Sequence, residues 1–165
     1  MPLTVAELNP RVHDREGFDC GVEPLNRYLR SVASQHRAKG FSTTFVLVDD
    51  GCPEHILGYY SLSAASIAFD RITDADRKNL PAYPIPAARI GRLAVSSEAR
   101  KLNYGEQLLQ NAIKRIIAAR KTMGVFAVVV EAKDEHALSF YKKYGFRLCN
   151  DEERQLYLPI GLYEA

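Results

Sequence analysis

A basic connection between Arg92 and Glu106 has the residue types of an anion-binding site. The apolar run Leu93-Ala94-Val95 ends in a polar turn, and Arg100 and Lys101 then precede a long amphipathic segment that contains Gly105. A strand that passes into a helix in this way leaves backbone N–H groups unpaired, and the helix dipole adds partial positive charge there. Two cationic side chains beside these donors would suit a pyrophosphate.

The same segment has a second interpretation. Asn103, followed three positions later by Glu106, is also typical of a capping box, which begins many helices without any ligand. Both interpretations stay open at this point. Two other phosphate-binding loops are excluded, because neither Gly-x-x-x-x-Gly-Lys-Ser/Thr nor Gly-x-Gly-x-x-Gly is present.

No histidine or cysteine stands out as a nucleophile, a base or a metal ligand. His36 and His136 are isolated, and a lone histidine on a surface helix is more often inert. Cys20, Cys52 and Cys149 are an odd number at wide spacing, which fits neither a disulfide framework nor a zinc site. We therefore expect reduced thiols and no metal.

Length and composition predict one globular domain over residues 1–165. The chain is 47% hydrophobic and 25% charged, which is typical of a domain with a sizeable core. It has no 18-residue apolar run and no signal-like N-terminus, so we expect a cytoplasmic protein that does not enter membranes. A formal charge of +2 is too small to indicate a nucleic-acid partner by itself.

The first half of the chain predicts a strand, a helix and a β-hairpin. Leu3-Thr4-Val5 is strand-like, and apolar residues at helical spacing predict a helix over residues 24–38 that ends before Gly40. The runs 43–48 and 56–63 flank Asp49-Asp50-Gly51 and predict a hairpin whose second arm continues to Phe69.

The second half predicts a βαβ unit. Strand 88–95, helix 104–121 and the apolar run 126–130 form a right-handed crossover. A shorter helix over residues 135–143 is capped by Asp134 and ended by Gly145, and the strands 146–148 and 155–160 follow. The predicted fold class is therefore α/β, with a mixed sheet whose N-terminal half is antiparallel.

One side of the predicted helix 24–38 is basic. It carries Arg27, Arg30 and Arg37, Lys39 follows, and no acidic residue lies between Pro24 and Phe45. Most such faces are simply solvated, and a binding role is the alternative.

Two segments resemble the motifs of the GNAT family of acyl-CoA-dependent N-acetyltransferases. The segment Arg100-Lys101-Leu102-Asn103-Tyr104-Gly105 is similar to the family's Gln/Arg-x-x-Gly-x-Gly/Ala loop, with Asn103 in place of the first glycine. Asparagine tolerates a positive φ better than most residues. Residues 137–146 resemble the family's Ala-x-x-Phe-Tyr-x-x-x-Gly-Phe, and this motif is the more specific of the two.

This resemblance implies a GNAT-like fold with splayed parallel strands around the central βαβ unit, and acetyl-CoA as co-substrate. It implies that Tyr141 is the general acid that protonates the departing thiolate. The residues that it implies for acetyl-CoA binding are Leu93, Ala94, Val95, Arg100, Lys101, Leu102, Asn103, Tyr104, Gly105, Glu106, Phe140 and Tyr144.

The likeness is greatest to the toxin branch of the family typified by TacT and AtaT. It rests on Phe18-Asp19-Cys20-Gly21, residues 25–29 and 58–63, Pro84-Ile85-Pro86 and Arg92-Leu93-Ala94-Val95. It implies acetylation of the α-amino group of an aminoacyl-tRNA, neutralisation by a ribbon-helix-helix antitoxin, and a homodimer. The tRNA contacts that we expect are Arg27, Arg30, Arg37, Lys39 and Arg92.

The sequence contains no strong candidate for a general base, which bears on the acceptor. An α-amino group titrates near 7.7–8.0 and a lysine near 10.4, so an α-amine needs far less help to become neutral. The alternatives are an acetyltransferase for a protein N-terminus, a lysine or a small amine, and a non-catalytic acyl-CoA-binding module.

Overall fold

A computed structural model describes residues 2–100 and 102–161. Seven strands form a mixed sheet in the order β1-β2-β3-β4-β5-β7-β6. Their bounds are Leu3–Glu7, Thr43–Asp49, Gly58–Ile67, Ile85–Val95, Ala127–Glu131, Arg147–Leu148 and Gln155–Pro159 for β1 to β7. The mixed α/β fold predicted from the sequence is confirmed.

Five α-helices accompany these strands in the described residues. They are α1 (Glu23–Arg27), α2 (Ala33–Ala38), α3 (Asp74–Arg77), α4 (Tyr104–Ala119) and α5 (Glu135–Lys143). None of them is long and apolar enough to cross a membrane. Chain contacts divide into two compact units, residues 1–63 with 90–114 and residues 64–89 with 115–165.

The first unit contains the predicted hairpin. Strand β2 pairs antiparallel with β1 and with β3, and Thr44 lies opposite Ser61. Buried residues of this unit, including Phe18, Leu29, Val46 and Tyr59, form one hydrophobic cluster between the strands and the first helices. Alternating positions of β2 thus bury Val46 and Val48 on one face, as period-2 geometry requires.

The predicted helix 24–38 is interrupted by a π-helical turn over Tyr28–Val32, which separates α1 from α2. Val32, at its end, has a φ of −117° and a ψ of −36°. Such insertions are rare and occur frequently at functional sites. Apolar spacing alone did not reveal it.

The second unit contains the C-terminal strands. Strand β7 pairs antiparallel with β5 and with β6, and the run Ala127–Val130 is fully buried. Strand β4 begins at Ile85, three residues before the predicted start. Proline restricts its own φ and the conformation of the preceding residue to extended values, so Pro84 and Pro86 are compatible with a strand end.

A polar network joins helix α3 to the C-terminal strands within this unit. The Tyr157 hydroxyl donates a hydrogen bond to Asp76 Oδ2 (2.5 Å), and Arg147 forms an ion pair with the same carboxylate. Burial alone would raise the pKa of Asp76, but the hydrogen bonds from Arg147, Tyr157 and Thr73 outweigh it and lower the pKa. The Asp76 side chain is 16% exposed, so screening by water is limited.

We predict that Asp76→Ala lowers the free energy of unfolding by about 1.5–3 kcal/mol at pH 7, because charged hydrogen bonds are lost from a partly buried site. A carboxyl with a lowered pKa stabilises the fold above its unfolded pKa of about 3.9. The difference between the variant and the natural protein should therefore shrink as the pH falls below about 4.

Urea denaturation from pH 3 to pH 7 measures both effects. Asp74→Ala is the matched control, because the Asp74 side chain is 88% exposed although it also pairs with an arginine. This control should change stability by less than about 0.5 kcal/mol. Equal losses in the two variants would contradict the assignment.

Candidate functional site

The connection from β4 to α4 adopts the backbone that an anion-binding turn needs. A short 3₁₀ turn over Ser97–Ala99 follows β4, and Asn103 then has a φ of +60° directly before α4 begins at Tyr104. The predicted tolerance of Asn103 for the left-handed region is therefore realised, and the missing glycine does not prevent the turn. The Asn103 carbonyl accepts a hydrogen bond from Gln107 N–H (3.2 Å), which starts the helix.

The loop side of this helix start faces solvent, whereas the helix beyond it is buried. Leu102 is 53% exposed and Asn103 is exposed, but Leu108 and Leu109 are fully buried. The first N–H groups of a helix have no intrahelical acceptor, so the exposed end presents donors to a ligand. Tyr104, Gly105 and Glu106 are half-buried at this point, and Lys101 lies outside the described residues.

The Glu106 carboxylate has a hydrogen-bond partner within α4. It accepts a hydrogen bond from the Gln110 side chain (3.2 Å), one turn further along α4. The capping box between Asn103 and Glu106 stays a prediction.

Arg100 has a structural contact that sequence reasoning did not foresee. Its Nη2 donates a hydrogen bond to the Cys20 carbonyl (2.8 Å), and Gly21, with a φ of +84°, lies directly beside it. A Cβ on Gly21 would stand 2.7 Å from that nitrogen, and the positive φ by itself favours glycine at this position. Arg100 thus links the anion-type loop to the turn Phe18–Gly21.

Asp19 organises that turn from within. Its Oδ1 accepts hydrogen bonds from Gly21 N–H (2.8 Å) and from Asn26 Nδ2 (2.9 Å), and Asn26 Oδ1 accepts from Cys20 N–H (2.9 Å). The hydrogen bonds from Gly21 and Asn26, with the nearby Arg100 charge, lower the pKa of Asp19. The Phe18-Asp19-Cys20-Gly21 and Leu25-Asn26 motifs are therefore one hydrogen-bonded unit.

Strand β4 lies close to β3 near Leu93, Ala94 and Val95, which are predicted to bind acetyl-CoA. The buried Ala94 has its carbonyl oxygen 2.8 Å from the position of a Cβ on Gly58, and Ser96 N–H donates to Leu57 O (2.8 Å). Glycine at position 58 permits this approach. Leu93 and Val95 are half-buried on either side.

Arg92, the residue before them, stacks on an aromatic ring. Its Cζ lies 3.5 Å from the centroid of the Tyr28 ring, which the π-helical turn carries. The buried Tyr28 is fixed in turn, because its hydroxyl hydrogen bonds to Ser42 Oγ (2.6 Å) and to His36 Nδ1 (3.2 Å). Cation–π contact holds a guanidinium in place without removing its hydrogen-bond donors.

The basic side chains of the first helices differ in their pairing. Arg30 pairs with Glu23 (3.0 Å) and Arg37 pairs with Glu7 (2.7 Å). Glu23 and Glu7 lie outside the segment between Pro24 and Phe45, which contains no acidic residue. Arg27 and Lys39 are exposed.

Helix α5 in the second unit carries the aromatic motif. Asp134 Oδ1 accepts a hydrogen bond from Ala137 N–H (2.8 Å), and Gly145 has a φ of +93° at the other end, so both predicted ends are confirmed. Phe140 contacts Tyr141 and Tyr144 edge-on, with ring centroids 5.4 and 5.1 Å apart.

Tyr141 is enclosed in this aromatic cluster. The side chain packs against Phe146 at 5.4 Å, and the residue is only 7% exposed. Burial raises the pKa of Tyr141 to about 12. Its phenol therefore remains protonated at neutral pH and keeps a proton to donate.

The other groups considered for chemistry are less suitable. His36 is engaged by Tyr28, and His136 is exposed on α5. All three cysteines are free, and burial raises the pKa of Cys149 to about 11, which opposes thiolate formation. Within the described part of the chain, no group of three or more His, Cys, Asp or Glu side chains could hold a metal ion.

Comparison with known proteins agrees with the motifs. The model of the acetyltransferase (GNAT) domain matches residues 32–158. A tRNA-acetylating toxin of Mycobacterium tuberculosis (strain ATCC 25618 / H37Rv) is 31% identical over 145 residues, which cover 88% of this chain and 85% of the relative.

Solved structures show the same fold. AtaT complexed with acetyl-methionyl-tRNAfMet superposes with a TM-score of 0.89 at 29% identity, covering 98% of this chain and 97% of AtaT. A tyrosine-to-phenylalanine mutant of the AtaT toxin, bound to the C-terminus of the antitoxin AtaR and to acetyl-CoA, superposes with a TM-score of 0.78 at 29% identity. That match covers 95% of this chain and 92% of the mutant.

The match to AtaT spans nearly the whole chain, and the family model includes both the turn before α4 and helix α5. The chain is an N-acetyltransferase that belongs to the GNAT family and, within it, to the toxins of the TacT and AtaT type.

Proposed function

We propose that this toxin transfers the acetyl group of acetyl-CoA to the α-amino group of an aminoacyl-tRNA and thereby blocks translation. The observation that carries the acetyl-CoA part is the exposed turn at Asn103, whose positive φ starts α4 with its N–H donors open to solvent. The relatives named above, a tRNA-acetylating toxin and AtaT with an acetylated tRNA, support the acceptor.

The acetyl-CoA pyrophosphate binds at the N-terminus of α4 in this proposal. The residues that contribute to pyrophosphate binding are Arg100, Lys101, Leu102, Asn103, Tyr104, Gly105 and Glu106. Leu93, Ala94 and Val95 bind the pantetheine. Phe140 and Tyr144 contact the rest of the acetyl-CoA molecule. Arg100 keeps guanidinium donors beyond the one given to Cys20, because a guanidinium carries five N–H groups.

Amide formation needs a neutral amine, a polarised thioester carbonyl and a proton for the departing sulfur. The amine nitrogen attacks the carbonyl carbon, so a C–N bond forms as the C–S bond breaks and its electron pair moves to sulfur. The Tyr141 hydroxyl then donates its proton to that sulfur. The proton lost by the amine passes to solvent, from which the phenolate regains one.

An α-amine suits an enzyme in which neither His36 nor His136 is assigned as a base. The neutral fraction of an α-amino group is already substantial near pH 7.7–8.0, whereas a lysine is almost fully charged there. A lysine acceptor would require a stronger base to remove its proton.

The tRNA backbone binds to basic side chains of the first unit. Arg27 and Lys39 are exposed, and Arg92 is held in place by Tyr28. Arg30 and Arg37 belong to the same surface, although each also pairs with a glutamate. Phosphate binding depends on such local clusters rather than on net charge.

Two partners complete the proposal. A ribbon-helix-helix antitoxin neutralises the enzyme, in line with the AtaR-bound relative, and the enzyme is a homodimer in the cytoplasm. Light scattering on the purified toxin with and without its antitoxin measures both assemblies.

The proposal as a whole is tested by labelled acetyl-CoA offered with charged tRNA, a protein mixture and small amines. Label on charged tRNA supports it. Label only on a protein or a small amine assigns another acceptor, and tight binding of CoA without any transfer indicates a non-catalytic module.

We predict that Tyr141→Phe lowers kcat by about 10²–10⁴-fold, the usual contribution of a general acid. The phenyl ring preserves the contact with Phe146, so the melting temperature should change little. Rapid-quench measurement of acetyl transfer gives kcat. Tyr83→Phe is the control, because it removes the hydroxyl of a tyrosine that is 70% exposed and lies outside the proposed site, and it should retain most of the turnover.

We predict that kcat rises with pH from 6 and levels off near pH 8, where an α-amine becomes neutral. No descending limb should appear up to pH 9. Tyr141 must be protonated to act as the general acid. Its pKa is raised to about 12 from the ordinary value near 10, so the rate should decline only at a correspondingly higher pH. Stopped-time acetylation assays across this range test it, and a rate that still rises tenfold per unit at pH 9 would indicate a lysine-like acceptor.

We predict that Arg27→Ala and Lys39→Ala each weaken tRNA binding and reduce the slope of log K against log salt by about 1, because each removes one phosphate contact. Filter binding between 50 and 200 mM salt measures the slope. Lys78→Ala, an exposed lysine of the second unit, should leave the slope unchanged. An equal effect of all three variants would mean that the contacts are non-specific.

A further inference from the structure

An exposed aromatic side chain lies among the basic residues after helix α2. Phe41 is 66% exposed, although phenylalanine is among the residues most often buried. Lys39 and Arg37 precede it on the same turn and are also exposed. An aromatic face beside cations is the arrangement on which proteins stack the bases of single-stranded nucleic acids.

The backbone at Phe41 is fixed by the end of the helix. Phe41 N–H donates to His36 O (2.8 Å), and Gly40 N–H donates to Arg37 O (3.2 Å). Gly40 has a φ of +75°, so these two bonds form a Schellman motif. In such a motif an apolar residue at the position of Phe41 normally packs back against the helix.

The Phe41 ring makes that contact only in part. Its centroid is 5.6 Å from the His36 ring, at an interplanar angle of 51°. Two thirds of the residue remains exposed to water despite this contact. Helix termination therefore explains where the residue lies, but it does not explain why a large aromatic side chain faces water.

A continuous line of ring contacts connects Phe41 to strand β4. His36 contacts the Tyr28 ring edge-on at 5.4 Å, and the guanidinium of Arg92 lies 3.5 Å above the Tyr28 centroid. The Tyr28 hydroxyl also binds Ser42 Oγ (2.6 Å), next to Phe41. The exposed ring is thus braced against the residue that precedes Leu93, Ala94 and Val95.

We propose that Phe41 stacks an unpaired base of the aminoacyl-tRNA 3′ end, with Lys39 and Arg92 holding the adjoining phosphates. This inference rests on the proposed function. Because the Phe41 ring already contacts His36 before binding, it loses less conformational freedom when a base stacks on it. The acylated end of a tRNA is single-stranded, so its bases are free to stack.

The test compares three substitutions at Phe41 in steady-state acetylation of charged tRNA. Phe41→Ala should raise KM for tRNA by roughly 5- to 100-fold, as expected for the loss of one stacked base. Phe41→Leu keeps an apolar side chain without a ring and should behave like alanine. Phe41→Trp keeps a stacking face and should stay within about twofold of the natural protein.

A second acceptor separates stacking from loss of structure. The methyl ester of the same amino acid carries the reacting amine without any base, so its kcat/KM should be unchanged in every Phe41 variant. The salt slope should also be unchanged in Phe41→Ala, because stacking releases no counterion, in contrast to Lys39→Ala.

The outcomes are distinct. If the natural protein acetylates charged tRNA but Phe41→Ala or Phe41→Leu leaves KM unaltered, the stacking role is wrong and the proposed function stands. Equal losses with tRNA and with the methyl ester would assign Phe41 to the fold instead. If charged tRNA is not acetylated at all, the proposed function itself fails.

Discussion

The left-handed backbone of Asn103 is the constraint on which the acetyltransferase part of the structure depends. It lets the chain leave β4 and enter α4 with the first helical N–H groups directed to solvent. A residue confined to negative φ would continue the chain in another direction. Asparagine adopts this conformation more readily than other residues with a side chain, which explains how the turn forms without the family's first glycine.

The residues before that turn are stabilised from the N-terminal part of the same unit. Arg100 reaches the Cys20 carbonyl, and Asp19 with Asn26 holds the turn that presents it. Ser97 N–H also donates to Asp19 O (2.9 Å). The Phe18–Gly21 motif therefore acts as a support for the loop, and Arg100 has a structural role whatever anion it also contacts.

The chemistry that we assign to Tyr141 depends on the aromatic cluster around it. Burial favours the neutral phenol, so Tyr141 keeps the proton that it would donate. Phe140 and Phe146 contribute to that burial through ring contacts with Tyr141, and Tyr144 packs against Phe140. The residues that pack this cluster thus include the tyrosine to which we assign catalysis.

The sequence by itself determined the order of strands and helices, the ends of α5 at Asp134 and Gly145, and the special backbone of Asn103. Each of these follows from local preferences: period, capping and tolerance of positive φ. Only the tertiary structure decided which charges are paired and which rings touch. Glu7 and Glu23 lie outside the basic segment that they partly neutralise, the π-helical turn places Tyr28 beneath Arg92, and Phe41 is left exposed. Such contacts join residues far apart in the chain, and no local pattern encodes them.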